Sequence, residues 1–258
     1  MKITSRDNPT VREIRKLLSD AKLRRESGLF VLEGARLCGE GARYADVRTV
    51  LYTPQGRDSY PQVWEALMQT GAVCAEIPES LAGAIADTEH PQGLFCVCRM
   101  RPQAPLTLRP DGRYLALENL RDPSNLGTVI RTAEAFGLDA LLLSDGCCDV
   151  YNPKVLRGSM GGSLRLPMVT VGSLPEAMRG WKEAGLRVLG CVADAAATPL
   201  PAAAVGAGCV CLIGNEANGL TAETQAGCTD RITIPMRGRA ESLNAAVAAC
   251  IVLWELCR

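Results

Sequence analysis

The sequence predicts an α/β protein with two parts, a smaller N-terminal α/β domain and a C-terminal domain built on a mostly parallel sheet. Short apolar segments typical of strands alternate with helical segments along the 258 residues. In the second half these segments are apolar at nearly every position, as expected of strands covered by helices on both faces. The proline-rich stretch 99–112 is typical of a linker. We therefore expect domains at 1–98 and 113–258.

The first domain begins with a basic segment. Residues 1–25 carry eight Lys or Arg against three acidic residues, a net charge of +5. Such a segment complements the phosphates of a nucleic acid, although a solvated helix face explains the same charge. The pattern predicts a helix near 8–26, a strand at LFVLEG (29–34), a helix after Ala35, a strand at VRTVLYT (47–53), a helix around QVWEALMQT (62–70) and a strand near GLFCVCRM (93–100).

The second domain is predicted to contain five apolar strands separated by helices. The strands are RYLALEN (113–119), ALLLSD (140–145), LRVLGCV (186–192), CVCLIGN (209–215) and DRITIP (230–235). Ligands bind beyond the carboxyl ends of parallel strands, so the loops there should form the site. These loops hold most of the unusual polar residues of the domain: ENLRDPSNLG, SDGCCDVYNP, GNEANGL and IPMRGRAESLN.

The composition excludes a membrane protein. The hydrophobic share of 47% and the charged share of 22% are ordinary for a globular chain. No window approaches the roughly 18 apolar residues needed to span a bilayer. The start MKITSRDNPTVREIRK has no apolar core and is not a secretory signal. We expect a cytoplasmic protein.

The twelve cysteines are interpreted as structural thiols. A cytosolic location argues against disulfides, and the Cys-Val-Cys pairs at 96–98 and 209–211 lie in apolar runs where a thiol acts as a small hydrophobe. No Cys-x-x-Cys motif occurs, and His90 is the single histidine. Metal or redox use is the alternative, but we expect no metal site.

A polar-faced helix is predicted after the first strand of the second domain. Asp122 and Pro123 stop the strand and open a helix that ends near Gly137. Asn125 and Arg131 lie on its polar side, where they are either a cap and a surface charge or groups facing the cleft. The helix begins at the carboxyl end of a strand, so its amide-rich start suits an anion such as phosphate.

Two further loops carry candidate binding residues. In LIGNEANGL a buried strand runs into Gly214 and Glu216, where glycines allow a ligand to approach the backbone, or simply permit a tight turn. Neither a Gly-x-Gly-x-x-Gly fingerprint nor a phosphate-binding Gly-x-x-x-x-Gly-Lys loop is present, which disfavours NAD and ATP. The third loop precedes an apolar helix that starts at Ala245, and it contains Ser242 and Asn244.

The three segments RDPSNLGTVIRTAEAFG, LIGNEANGL and IPMRGRAESLNAAVAA together resemble the three motifs of the SpoU (TrmH-type) RNA ribose 2′-O-methyltransferases of the SPOUT superfamily. Between them, LRGSMGGSLRLP is similar to a family segment, although Gly162 stands where alanine is commoner. The N-terminal SRDNPTVREIRKLLSDAKLRRESGLFVLEGARL resembles the family's ribosomal-protein-like substrate-binding domain. The resemblance covers nearly the whole chain.

The resemblance implies a catalytic domain with a deep trefoil knot, a homodimer, S-adenosylmethionine as cofactor and the ribose 2′-hydroxyl of structured RNA as substrate. It implies a cofactor site, formed largely by backbone atoms, at Gly214, Ile234, Met236, Ser242 and Leu243. The implied catalytic residues are Asn125, Arg131, Glu216, Ser242 and Asn244. Part of the catalytic centre is expected from the partner subunit.

Methyl transfer to an alcohol requires a positioned hydroxyl and a proton acceptor. His90 lies in the other domain, and an arginine stays protonated. Our hypothesis is that Arg131 binds an RNA phosphate bidentately while a phosphate oxygen or water accepts the proton. Ser242 and Asn244 would orient the ribose or the cofactor by neutral hydrogen bonds.

Three alternatives remain at this stage. The substrate is ribosomal RNA, which the N-terminal domain favours by family analogy, or transfer RNA. In the second alternative, the chain is a non-catalytic RNA-binding assembly factor, which would not need its polar motif residues. A nicotinamide-dependent oxidoreductase fits a parallel sheet but lacks the glycine fingerprint.

Overall fold

The computed structural model describes residues 1–102 and 107–258, so the middle of the predicted linker, 103–106, lies outside the described residues. The chain forms two compact units. The first consists of Met1–Pro102 and Asp149–Arg165, and the second of Gln103–Cys148 and Leu166–Arg258. The segment Asp149–Arg165 therefore packs with the first unit, although it follows the linker in sequence.

The first unit contains a mixed sheet with strand order β1-β4-β2-β3. The β4 strand runs antiparallel to both β1 and β2, and β2 and β3 are parallel. The sequence pattern predicted β1, β2 and β4 but not β3, which is short and mostly half-exposed, so no apolar run marks it. The strands are β1 (Leu29–Glu33), β2 (Asp46–Tyr52), β3 (Val73–Glu76) and β4 (Leu94–Arg99).

The helices of this unit pack on both faces of the sheet. The single helix expected near 8–26 is two helices, because Asp20 has an extended backbone that ends the first, and its carboxylate accepts the Lys22 and Leu23 N–H groups that start the second. The helices are α1 (Pro9–Ser19), α2 (Ala21–Ser27), α3 (Ala35–Tyr44), α4 (Pro54–Ser59), α5 (Pro61–Met68) and α6 (Glu79–Ile85), with α8 (Pro153–Ser159) in the later segment.

The second unit is built on a parallel sheet with strand order β7-β6-β5-β10-β8-β11-β9. Every pairing in this sheet is parallel, which confirms the predicted architecture. The strands are β5 (Arg113–Leu117), β6 (Ala140–Ser144), β7 (Met168–Val171), β8 (Arg187–Cys191), β9 (Thr198–Pro199), β10 (Cys209–Ile213) and β11 (Asp230–Thr233). Its helices are α7 (Pro123–Ala135), α9 (Leu174–Glu183), α10 (Ala222–Gly227) and α11 (Ala245–Cys257).

The strand order places a switch point between β5 and β10. From β5 the chain continues to β6 and β7 on one side, whereas β8, β9 and β11 lie beyond β10 on the other. Ligands of open parallel sheets bind at such a point, beyond the carboxyl ends of the strands. The loops after β5 and β10 are therefore brought side by side, although about 95 residues of sequence separate them.

The remaining composition-based predictions concern thiols, metals and membranes. All twelve cysteines are free, and burial raises the pKa of Cys191 and of Cys228 to about 11, so both are protonated at neutral pH. Among the described residues, no cluster of three or more His, Cys, Asp or Glu side chains is placed to hold a metal ion. No helix in that part of the chain has the length and apolarity to cross a membrane.

Candidate active site

The loop after β10 folds back on itself tightly. Asn215 and Gly219 exchange two backbone hydrogen bonds, N–H to C=O, at 3.0 and 2.9 Å. A Cβ atom on Gly214 would lie 2.0 Å from the Gly219 carbonyl carbon, so only glycine fits there. Gly219 itself has a φ of +66°, which disfavours residues with a side chain. The tight turn, one of the two interpretations of the glycines in LIGNEANGL, is therefore present. It also forms one wall of a cavity.

A buried carboxylate ties this loop to the end of β5. Glu118, 5% exposed, accepts hydrogen bonds from the Thr221 N–H at 2.8 Å, the Thr221 hydroxyl at 2.9 Å and the Thr224 hydroxyl at 2.6 Å. Thr221 also caps α10. Glu118 was not among the predicted site residues, although an acidic residue at the end of an apolar strand is a usable signal.

A chain of amide and carboxylate groups joins the three predicted motifs. The Asn244 side-chain amide donates to Asn125 Oδ1 at 3.1 Å, and the Asn125 amide donates to Glu216 Oε1 at 3.0 Å. The Asn215 amide donates to Glu216 Oε2 at 3.3 Å and to the Asn119 carbonyl at 2.8 Å. The structure thus brings together Asn125, Glu216 and Asn244, three of the residues predicted to be catalytic.

Glu216 is the charged centre of this chain. Partial burial by itself would raise the pKa of this carboxyl, but the hydrogen bonds from the Asn125 side chain and from nearby backbone N–H groups, including that of Asp122, lower the pKa below its ordinary value. The group is therefore ionised at neutral pH. A carboxylate with a lowered pKa is a poor proton acceptor, so Glu216 is better suited to hold polar groups in place.

Polar side chains next to this chain of hydrogen bonds, or part of it, also start the two helices that flank the loop. Asp122 caps α7 by accepting the Ser124 and Asn125 N–H groups at 2.7 and 3.1 Å. Asn244 caps α11 by accepting the Ala246 and Val247 N–H groups through Oδ1 at 2.9 and 3.2 Å. Of the polar residues before the apolar helix α11, Asn244 is thus both its cap and a member of the hydrogen-bond chain.

The loops after β8, β10 and β11 enclose a cavity of about 400 Å³. Glu216 lines it, and so does every residue predicted to contact the cofactor: Gly214, Ile234, Met236, Ser242 and Leu243. Apolar side chains, glycine backbone and a few charged groups share the wall, a mixture that suits an amphipathic ligand such as a nucleoside with a charged tail.

Arg131 is not part of the cavity wall. It is exposed on α7, six residues beyond Asn125, and within the described ranges it forms no hydrogen bond or ion pair. Its guanidinium is therefore free to bind a group from outside this unit. Of the predicted catalytic set, Glu216 and Ser242 line the cavity, and Arg131 does not. Asn125 and Asn244 do not line it either, but they are joined to Glu216 by the chain of hydrogen bonds.

Comparison with known proteins identifies the family. The sequence model of the SpoU rRNA Methylase family matches residues 112–254, more than half of the chain. The chain belongs to the SpoU rRNA methylase family. A second model, the MRM3-like substrate binding domain, matches residues 8–96 of this SpoU methylase.

Similar proteins extend over the full length of this SpoU methylase. It is 32% identical to the 23S rRNA (guanosine(2553)-2′-O)-methyltransferase RlmP of Bacillus subtilis over 98% of each chain. Its fold matches an rRNA methyltransferase from Sinorhizobium meliloti at a TM-score of 0.85 and 28% identity, over 99% of this chain and 96% of that one. It also matches AviRb of Streptomyces viridochromogenes in complex with AdoMet at a TM-score of 0.81 and 28% identity, over 96% of each.

The protein is an S-adenosylmethionine-dependent RNA 2′-O-methyltransferase. This excludes both the nicotinamide-dependent oxidoreductase and the non-catalytic assembly factor. The cavity fits the cofactor, since it is large enough for a small ligand and combines apolar surface with both signs of charge.

Proposed function

We propose that the substrate is ribosomal RNA. The observation that carries this proposal is the match to RlmP, a 23S rRNA methyltransferase by name, over 98% of both chains, so that the similarity includes the N-terminal domain as well as the methylase domain. Transfer RNA remains the second candidate. Its support is weaker, because a solved structure concerned with 2-OH methylation on tRNA matches only 57% of this chain.

The exposed charge of the first unit supports an RNA-binding role. Along α1 the side chains of Arg12, Arg15 and Lys16 are exposed on one face of the helix, opposite its buried apolar residues. Arg24 does not contribute, because it is 2% exposed and its guanidinium bonds Asp149 at 2.7 Å and the Leu17 carbonyl at 2.6 Å. Lys2, Arg12 and Lys22 form ion pairs as well, but their side chains are exposed and such pairs are weak, so the basic start of the chain stays accessible to phosphates apart from Arg24.

The proposed roles in catalysis follow the geometry. S-adenosylmethionine, when bound, supplies the methyl group. Asn125, Glu216 and Asn244 hold the starts of α7 and α11 and the loop after β10 in fixed positions. Gly214, Ile234, Met236, Ser242 and Leu243 hold the cofactor. Arg131 binds an RNA phosphate, and a phosphate oxygen or water accepts the hydroxyl proton, because neither a protonated guanidinium nor Glu216 is an effective base.

Mapping 2′-O-methylated nucleotides tests the choice of substrate. In a strain that lacks this gene, we expect one 2′-O-methyl group to disappear from ribosomal RNA and all those of transfer RNA to stay. The wild-type gene should restore the modification, and a gene carrying Asn125→Ala should not. Loss of a methyl group from transfer RNA alone would assign the other substrate.

We also propose a homodimer that forms through the α7 and α11 surface. Helix α11 is apolar at every position except Glu255, yet Val247 and Trp254 are 48% and 59% exposed. The rings of Phe136 and Trp254 pack edge-on, with their centroids 5.6 Å apart. An apolar groove lies on this surface, lined by Thr128, Val247, Cys250, Ile251 and Trp254. A helix that is apolar all round is normally buried, so a second copy is the expected cover.

The position of Arg131 supports the same dimer. Arg131 follows Thr128 by one turn on α7, so it borders the apolar groove. A partner docked on the groove would lie next to this free guanidinium, consistent with a catalytic centre that both subunits build.

Changing the apolar groove should change the oligomeric state. We expect Trp254→Glu to convert the dimer to a folded monomer at micromolar concentration, because a charge there cannot be buried without a partner. Met68→Glu is the matched control, since Met68 is an exposed apolar residue of the first unit, 40% exposed. Sedimentation velocity measures the mass, and circular dichroism checks the fold. A monomeric wild-type protein would contradict the proposal.

We also propose a deep trefoil knot in the second domain, a cytoplasmic location and domain limits at 1–98 and 113–258. The family resemblance supports the knot, and the matched ranges 8–96 and 112–254 are compatible with the limits along the sequence, although Asp149–Arg165 packs with the first unit. Twelve free thiols fit a reducing compartment.

A further inference from the structure

Three charged side chains line the cavity within the described residues, namely Asp194, Glu216 and Arg231. Glu216 is already engaged by the amides of Asn125 and Asn215. Arg231 is therefore the one cation among these described wall residues. Asp194 accepts the Ala196 N–H through Oδ1 at 2.9 Å, which leaves its Oδ2 for a charged partner.

Arg231 and Asp194 form an ion pair on two neighbouring segments of the parallel sheet. Arg231 lies in β11 and Asp194 in the loop after β8, the strand that pairs with β11. Arg231 Nη1 lies 3.2 Å from Asp194 Oδ2, and the two side chains are 47% and 41% exposed. An ion pair this exposed contributes little to folding stability. Both groups are accessible to a ligand and can change partner at low cost.

The charges of the cofactor match this pair. S-adenosylmethionine has a single anionic group, the α-carboxylate, beside an α-ammonium on the same carbon, while the adenosine is neutral. We propose that Arg231 binds the α-carboxylate and Asp194 the α-ammonium, so that the pair recognises the amino-acid end of the cofactor. A guanidinium forms two parallel hydrogen bonds with a carboxylate, which adds orientation to charge.

This assignment rests on the cofactor itself and not on the identity of the RNA. It adds two side chains to a site that the family resemblance describes as formed largely by backbone atoms. It also orients the cofactor in the cavity, because the amino-acid end is held by β11 and the loop after β8, while Glu216, bonded to Asn125, lies in the loop after β10.

The chain offers a matched control pair on the same strands. Arg187 of β8 lies 3.0 Å from Asp230 of β11, and these side chains are 41% and 47% exposed. The two pairs are thus alike in distance and exposure, and each includes one residue of β11. Neither Arg187 nor Asp230 lines the cavity.

Two ligands distinguish a loss of contacts to the amino-acid end from a general loss of binding by the cavity. S-adenosylhomocysteine carries the complete amino-acid end, whereas 5′-methylthioadenosine lacks it. By isothermal titration calorimetry on the full-length protein, we expect Arg231→Gln to raise the Kd for S-adenosylhomocysteine roughly 10- to 100-fold. The Kd for 5′-methylthioadenosine should stay within about twofold, and Arg187→Gln should change neither Kd.

Exchanging the two charges tests whether the ion pair of Arg231 and Asp194 has only a structural role. The double variant Arg231→Asp with Asp194→Arg keeps an ion pair, and we expect it to bind S-adenosylhomocysteine as weakly as Arg231→Gln does. Full recovery in this variant, or an equal loss for both ligands in Arg231→Gln, would overturn the proposal. If the wild-type protein bound neither ligand, the cofactor assignment would fail and this inference with it, whereas a transfer RNA substrate would leave the inference intact.

Discussion

Replacing Arg131 with alanine is expected to slow single-turnover methylation roughly 100- to 1,000-fold at saturating RNA. The affinity for S-adenosylhomocysteine should stay within about twofold of the wild type, because Arg131 does not line the cavity. The reason for the large effect is that the guanidinium is exposed and has no partner among the described residues of its own chain, so its interaction energy is available for the RNA.

Two further variants decide how Arg131 acts. Arg131→Lys keeps the positive charge but loses the planar fork, so we expect it to stay at least about tenfold slower than the wild type. Arg179→Ala is the matched control, an exposed arginine on α9, and should leave the rate unchanged. If Arg131→Lys retained most of the rate, the bidentate role would be wrong and a simple point charge would suffice.

Removing the Glu118 carboxylate is expected to lower the free energy of unfolding by about 3 kcal/mol. In Glu118→Ala the Thr221 N–H and the buried Thr224 hydroxyl lose their acceptor, and the segment after β10 loses three of the hydrogen bonds that join it to the end of β5. Because that loop forms a cavity wall, the Kd for S-adenosylhomocysteine should rise as well. Urea unfolding measures the first effect and calorimetry the second.

Glu223 provides the comparison for Glu118. It is an exposed acid in the first turn of α10, one residue before Thr224, where it gains only the small stabilisation of a carboxylate at a helix start. Glu223→Ala should therefore cost less than about 1 kcal/mol and leave cofactor binding unchanged. An equal cost for the two substitutions would show that Glu118 does not hold the loop.

Much of the fold follows from local pattern. Segments such as RYLALEN and CVCLIGN are apolar at nearly every position, and they are the central strands β5 and β10 of the parallel sheet. Where the pattern was weak the prediction failed, as for β3 in the first unit. At Asp20 a single side chain ended one helix and started the next, which a continuous helical pattern hides.

The composition of the candidate site was also predictable, since Asn125, Glu216 and Asn244 each stand in a motif that resembles the family. The hydrogen bonds among these residues were not predictable, because 91 positions separate Asn125 from Glu216 and 119 separate Asn125 from Asn244. The basic count at the N-terminus likewise did not reveal that Arg24 is buried and paired with Asp149, 125 residues away.

The sequence by itself determined that this is an α/β chain with a parallel sheet, and its motifs determined the family, because apolar periodicity and short polar motifs are local properties. Only the tertiary structure decided which of those motifs meet. Placing β5 beside β10 joined Asn125 to Glu216 and Glu118 to Thr221, and placing β8 beside β11 joined Asp194 to Arg231. Such contacts depend on strand order, which is set by the burial of the whole sheet and is therefore not a property of any one segment.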